Sequence, residues 1–229
     1  MLKGQYFANS YSAQIANLVR LIVKMKLYAS KILRETVTIL NEYDFEKKVR
    51  VFDVADKLRL LNVELEDSVN RIIALTHPVA FDLRFLLSSL KLSSELGYIA
   101  NWAKKTIGMI EGLENKSLVT DNKKDLTRML EISFETLKDV ISTLLQFDSK
   151  KKADAEILYK IEGMLKADDA VDEIYTKILK DGMEAVKNKA CDPILAFEAI
   201  WIAKNLEKIS DCIHNMILTT RYVLTGKRN

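Results

Sequence analysis

The chain has 229 residues, 48% of them apolar and 29% charged, with only 7 glycines and 2 prolines. Its 35 basic and 32 acidic side chains leave a net charge of +3, which makes no electrostatic case for nucleic-acid binding. Two cysteines, Cys191 and Cys212, form neither a disulfide framework nor a metal-binding pair, so a reducing compartment is expected.

The N-terminal stretch lacks a charged start followed by an apolar run and does not read as a secretory signal. From Ile15 to Leu40 the apolar pattern is interrupted by Arg20, Lys24, Lys26, Lys31, Arg34 and Glu35. No segment approaches the roughly 18 to 20 apolar residues of a membrane span. A soluble, cytoplasmic protein is expected.

With so few breakers, long helices follow. Six are expected, at 8–41, 45–76, 78–114, 122–148, 151–189 and 192–226. Asn41 to Asp44 is a polar interruption. Pro78 and Pro193 suit the first turn of a helix, where a missing N–H costs nothing, and Asp192 suits the N-cap before Pro193. His77 reads as a helix-entry residue. The polar residues Asn115-Lys116-Ser117 and Thr120-Asp121-Asn122 form the main linker, at the midpoint. In the last helix Leu195, Ala199, Ile202, Leu206, Ile209, Ile213 and Met216 recur at steps of 4 and 3, one apolar stripe of a bundle helix.

The two halves repeat one another. Leu206-Glu207-Lys208-Ile209-Ser210-Asp211 has its counterpart in Leu96-Gly97-Tyr98-Ile99-Ala100-Asn101, where Glu has become Gly and Asp has become Asn. The expected architecture is all-α: two tandem antiparallel three-helix bundles, 1–115 and 116–229, related by internal duplication. One acidic copy and one neutralised copy suggest one metal site rather than two.

The fifth helix carries an odd row: Ile161, Leu165, Asp168, Asp172, Tyr175 and Leu179, again at steps of 4 and 3. Ionised carboxylates in line with core positions are costly without a partner. They must be exposed by drift of the stripe, paired with Lys or Arg, protonated, or bound to metal. The sixth helix adds Glu207 and Asp211 one turn apart, and His214 lies three residues beyond on roughly the same face. Four carboxylates on neighbouring helices suit hard or borderline cations. They also suit a solvated face paired with Lys166, Lys204 and Lys208. Cys212 points about 100° away around the helix and reads as a small buried residue. Trp102 and Trp201, at corresponding places in the two halves, read as packing residues.

The segment Arg71-Ile72-Ile73-Ala74-Leu75-Thr76-His77-Pro78-Val79-Ala80-Phe81-Asp82-Leu83-Arg84 resembles the signature of the PhoU family of phosphate-uptake regulators. Asp168-Asp169-Ala170-Val171-Asp172 resembles that family's Asp-Asp-x-x-Asp helix, and Leu206-Glu207-Lys208-Ile209-Ser210-Asp211 its Leu-Glu-Arg-Ile-Gly-Asp motif. Asn215 and the closing Tyr222-Val223-Leu224-Thr225-Gly226 also fit. The resemblance covers nearly the whole chain and implies the two-bundle fold. It also implies a metal site on the second bundle held by Asp168, Asp172, Glu207 and Asp211, with His214 and Asp169 supporting them. The metal would be iron or zinc, with manganese or magnesium as alternatives.

The first bundle departs from the family pattern. Aligned back from Pro78, the acidic positions fall on Ala55, Arg59, Asn62, Gly97 and Asn101, and Glu95 replaces an Asp. A protonated guanidinium repels a cation. Arg59 is expected to fill the vacated space and pair with the remaining Glu66 or with Glu95. The function implied is non-enzymatic: an adaptor between a phosphate ABC transporter ATPase and a sensor histidine kinase, restraining phosphate uptake and the phosphate-starvation response. Such a protein would be a homodimer that meets the membrane only through its partners. The alternatives are a carboxylate-bridged metalloenzyme on a helical bundle and a metal-free helical scaffold.

Overall fold

The computed structural model describes residues 2–113, 120–146 and 155–227. These form six helices and no strand: α1 (Leu2–Asn41), α2 (Phe45–Thr76), α3 (Ala80–Gly112), α4 (Thr120–Gln146), α5 (Ala155–Lys187) and α6 (Pro193–Thr225). The expected order and number hold. None of the helices is long and apolar enough to cross a membrane.

The start of α6 has the cause read from the sequence, and two further ends are capped as well. The Asp44 carboxylate accepts the Lys47 N–H at 3.0 Å and opens α2. Asp192 accepts the Ile194 N–H at 2.8 Å, with Pro193 in the first turn of α6. Gly226 closes α6 in the left-handed region, φ 71°.

Other ends differ. His77 does not enter α3; it ends α2, at φ 48°, with its N–H on the Ile73 carbonyl. A proline ring disfavours right-handed helical backbone in the residue before it, so α2 stops at His77; Pro78 lies in the connection, and α3 starts after Val79. Thr120 to Asn122, expected in the linker, belong to α4. Asn115 to Ser117, and the expected helix positions 147–148 and 151–154, lie outside the described residues.

Each half is a three-helix bundle, α1–α3 and α4–α6, and the bundles meet where α1 packs on α4 and α3 on α6. One hydrophobic core runs through both halves. This explains why α6 buries more than the single stripe that its period suggests. Ala203, Ser210, Cys212 and Ile217 are buried beside Ile202, Leu206, Ile209 and Ile213, because α6 is covered by α3, α4 and α5 together. Small hydroxyl residues line the packed faces. Ser89, Thr106, Ser133 and Thr136 turn their hydroxyls onto the carbonyl one turn back, at 2.8–3.0 Å, so these four stay paired despite burial.

Candidate metal centre on the second bundle

α5 and α6 lie side by side and bring Asp168, Asp172, Glu207 and Asp211 to one surface. The α5 stripe drifts toward solvent at this point, so Asp172 is exposed while Asp168 leans onto α6. Asp168 Oδ1 accepts the Ser210 hydroxyl at 2.7 Å. Asp168 Oδ2 stands 2.8 Å from His214 Nδ1, a close approach without hydrogen-bond alignment. Of the fates open to these two aspartates, Asp168 takes partners and Asp172 takes solvent.

Glu207 and Asp211 are held by lysines. Lys204 reaches Glu207 Oε2 at 2.8 Å, with its charge 4.9 Å from the Tyr175 ring centre. Lys208 sits between Glu207 and Asp211, and its hydrogen bond to Asp211, ahead of the other charges, raises the ammonium's pKa. Lys166 makes no ion pair with the described residues. As the side chains lie, no group of three His, Cys, Asp or Glu among the described residues could hold a metal ion.

Asp172 is the exception to this neutralisation: it makes no hydrogen bond or ion pair with the described residues. Partial desolvation, then the charges of Asp168, Glu207, Asp211 and Asp169, hold its carboxyl above the ordinary aspartate range. The folded chain thus keeps the Asp172 proton to higher pH than the unfolded chain does. Stability in the absence of metal must fall as pH rises through that window. Asp172→Asn is therefore expected to stabilise chelator-treated protein near neutral pH by roughly 0.5 kcal/mol, the scale of a like-charge pair one helical turn apart. The gain should vanish below the ordinary aspartate pKa, where both states are protonated. Urea unfolding across that range checks it, and a gain independent of pH would mean that charge is not its cause.

Two contacts escaped sequence reasoning. Ser210 stands inside a recognisable motif, yet nothing in spacing alone assigns it to Asp168. Glu95 crosses from α3 to α6, where its carboxyl faces the Cys212 thiol and the Asn215 side chain. Burial pushes the Glu95 carboxyl up, and burial with the Glu95 charge pushes the Cys212 thiol up strongly. Cys212 is buried, as its position suggested. Trp102 packs against the core, but Trp201 is half exposed against Phe197, so it is not a core packing residue.

The first bundle carries the counterpart surface. Ala55, Arg59, Asn62, Gly97 and Asn101, the five positions read as having lost acid, line one cavity between α2 and α3. The expected pairing of Arg59 does not form. Glu66 accepts the Asn62 amide at 2.8 Å, Glu95 faces α6, and Arg59 makes no ion pair with the described residues.

A pair of three-helix bundles, with an acidic surface on one repeat and its counterpart neutralised on the other, defines a class of duplicated all-helical proteins. The PhoU domain matches the chain twice, over residues 22–107 and 126–220, and the chain belongs to the PhoU family. It is 24% identical over 206 residues to the phosphate-specific transport system accessory protein PhoU homolog 1 of Thermotoga maritima, covering 90% of this chain and 85% of that one. It is 26% identical to the PhoU homolog of Borreliella burgdorferi, over 93% of this chain and 85% of that one. The fold matches the crystal structure of PhoU from Pseudomonas aeruginosa with a TM-score of 0.84 at 18% identity, covering 95% of this chain and all of that one. The phosphate transport system regulatory protein PhoU from Streptococcus pneumoniae matches with a TM-score of 0.82, also at 18% identity, covering 96% of this chain and 99% of that one.

Proposed function

We propose that this chain is a non-enzymatic regulator of phosphate uptake and of the phosphate-starvation response, working as an adaptor between a phosphate ABC transporter ATPase and a sensor histidine kinase. The observation that carries the reading is the family match in both repeats, together with the accessory role in phosphate-specific transport that its relatives' names state. The halves 1–115 and 116–229 act as two faces of one body. The protein is cytoplasmic, reaches the membrane through its partners, and pairs with a second copy.

The second-bundle carboxylates fit a cation by their chemistry. Asp172 is uncompensated among like charges, and Glu207 and Asp211 are neutralised only by flexible lysines. Asp168, Asp172, Glu207 and Asp211 would hold iron or zinc, or alternatively manganese or magnesium, with His214 and Asp169 supporting them. The metal would supply positive charge and a rigid clamp between α5 and α6. Lys204 and Lys208 also favour a second reading, a metal-free scaffold, since they already serve two of the four ligands. A carboxylate-bridged oxygen-using enzyme has less support: among the described site residues only Asp211 and His214 approach a ligand pair at the helix spacing it needs.

The test is genetic. Deleting the gene while phosphate is plentiful should raise a phosphate-starvation reporter several-fold and release uptake, and the intact gene should restore both. Unchanged reporter and uptake would sink the regulatory reading.

A further inference from the structure

The cavity on the first bundle has its own chemistry. It encloses about 320 Å³ between α2 and α3, at the place that duplication makes equivalent to the acidic surface. Its charged lining is two cations, Arg59 and Lys104, with two carboxylates, Asp56 and Glu66. The carboxylates are already engaged. Glu66 accepts from Asn62, which in turn accepts the Ser93 hydroxyl at 2.6 Å. Asp56 meets Lys104 at 3.6 Å and is mostly in solvent.

The donors are not engaged to the same degree. The Arg59 guanidinium and the Asn101 amide make no hydrogen bond or ion pair with the described residues. Lys104 has only its long contact with Asp56 and the face of Phe52, 4.6 Å from the ring centre. Between these donors the helix surface is bare: a Cβ added at Gly97 would meet nothing within 4 Å. An unpaired guanidinium fork beside an ammonium and an amide, facing open space, is the donor set that recognises an oxyanion.

We propose that this cavity binds a small phosphate-type oxyanion, the free ion or a phosphate monoester, through Arg59, Lys104 and Asn101. Loss of carboxylates at Gly97 and Asn101 then exchanges one ligand for another of opposite charge. The proposal is independent of the metal reading, because its ligands lie on the other repeat and need no cation.

Isothermal titration of chelator-treated protein tests it, with inorganic phosphate and glycerol phosphate as probes. One saturable site per chain is expected. Arg59 is exposed, so Arg59→Gln should melt normally while binding at least about tenfold more weakly, a change of about 1.4 kcal/mol. Gly97→Glu restores a carboxylate where there is room for it, favours helix, and should abolish binding. Asp168→Asn with Asp172→Asn should leave binding unchanged. Tighter binding of the ester would identify a phosphate-bearing small molecule, and the reverse the free ion. No saturable binding, or full affinity in Arg59→Gln, would overturn the proposal. So would binding lost only in the Asp168/Asp172 variant, which would place the anion on the second bundle.

Discussion

Protein purified without chelators or an affinity tag is expected to carry iron, zinc or manganese, and the double variant Glu207→Gln, Asp211→Asn to lose it. Two of four oxygen ligands would go. Loss even of a group that merely supports a ligand costs about 10- to 100-fold in metal affinity, so loss of two ligands should cost at least that. Elemental analysis reads the content directly, and reconstitution with each metal follows. The same variant also releases Lys204 and Lys208 from their ion pairs. The Lys208–Asp211 pair is exposed and contributes only about 0–1 kcal/mol, and at the mostly buried Glu207 the glutamine keeps the size and an amide oxygen to face Lys204, so in chelator the double variant should melt close to the parent. A large stability difference that appears only with metal present separates a bound ion from a salt-bridged face. Parent protein that holds no metal even after reconstitution would leave the lysines as the true partners, and the metal-free scaffold would become the working model.

The largest loss of stability is expected from Leu206→Ala. Leu206 is fully buried, in the helix that packs against three others, and the next residue is Glu207. Truncating a buried leucine costs about 2–5 kcal/mol, from lost transfer energy plus the cavity left behind. That is a sizeable part of the roughly 5–15 kcal/mol typical of a folded domain. Urea unfolding should show the midpoint falling sharply, whereas Leu206→Met, which conserves volume, should cost under about 1.5 kcal/mol. A Leu206→Ala shift below about 1 kcal/mol would mean that this part of α6 is not packed as tightly as the structure has it.

Much of this was legible in the sequence because helix periodicity and capping are local. The stripe of α6, the Asp192 cap and the Pro193 start are set within a turn or two. His77 was misread because its neighbour Pro78 looked like a helix start, while the chain needed a left-handed residue to end α2 first. At the site, the sequence placed Asp168 and Glu207 on neighbouring helices but said nothing of which acids would find partners. That depends on a drift of the α5 stripe that spacing cannot resolve, and on Ser210 and His214 facing Asp168 from α6. Glu95 is the same lesson across a greater distance. Its counterparts, Cys212 and Asn215, lie in the other repeat, and only the packing of α3 on α6 brings them within reach.

Four of the five altered positions of the first bundle sit over an apolar core, and the fifth, Ala55, joins it. Leu58, Leu96 and Ala100 are buried apolar residues interleaved with Arg59, Gly97 and Asn101. After duplication, one copy could therefore pass through losses of charge and one reversal while an apolar foundation held the helices in place. Selection could retune what one face recognises while the other face, and the melting point of the whole, stayed where they were.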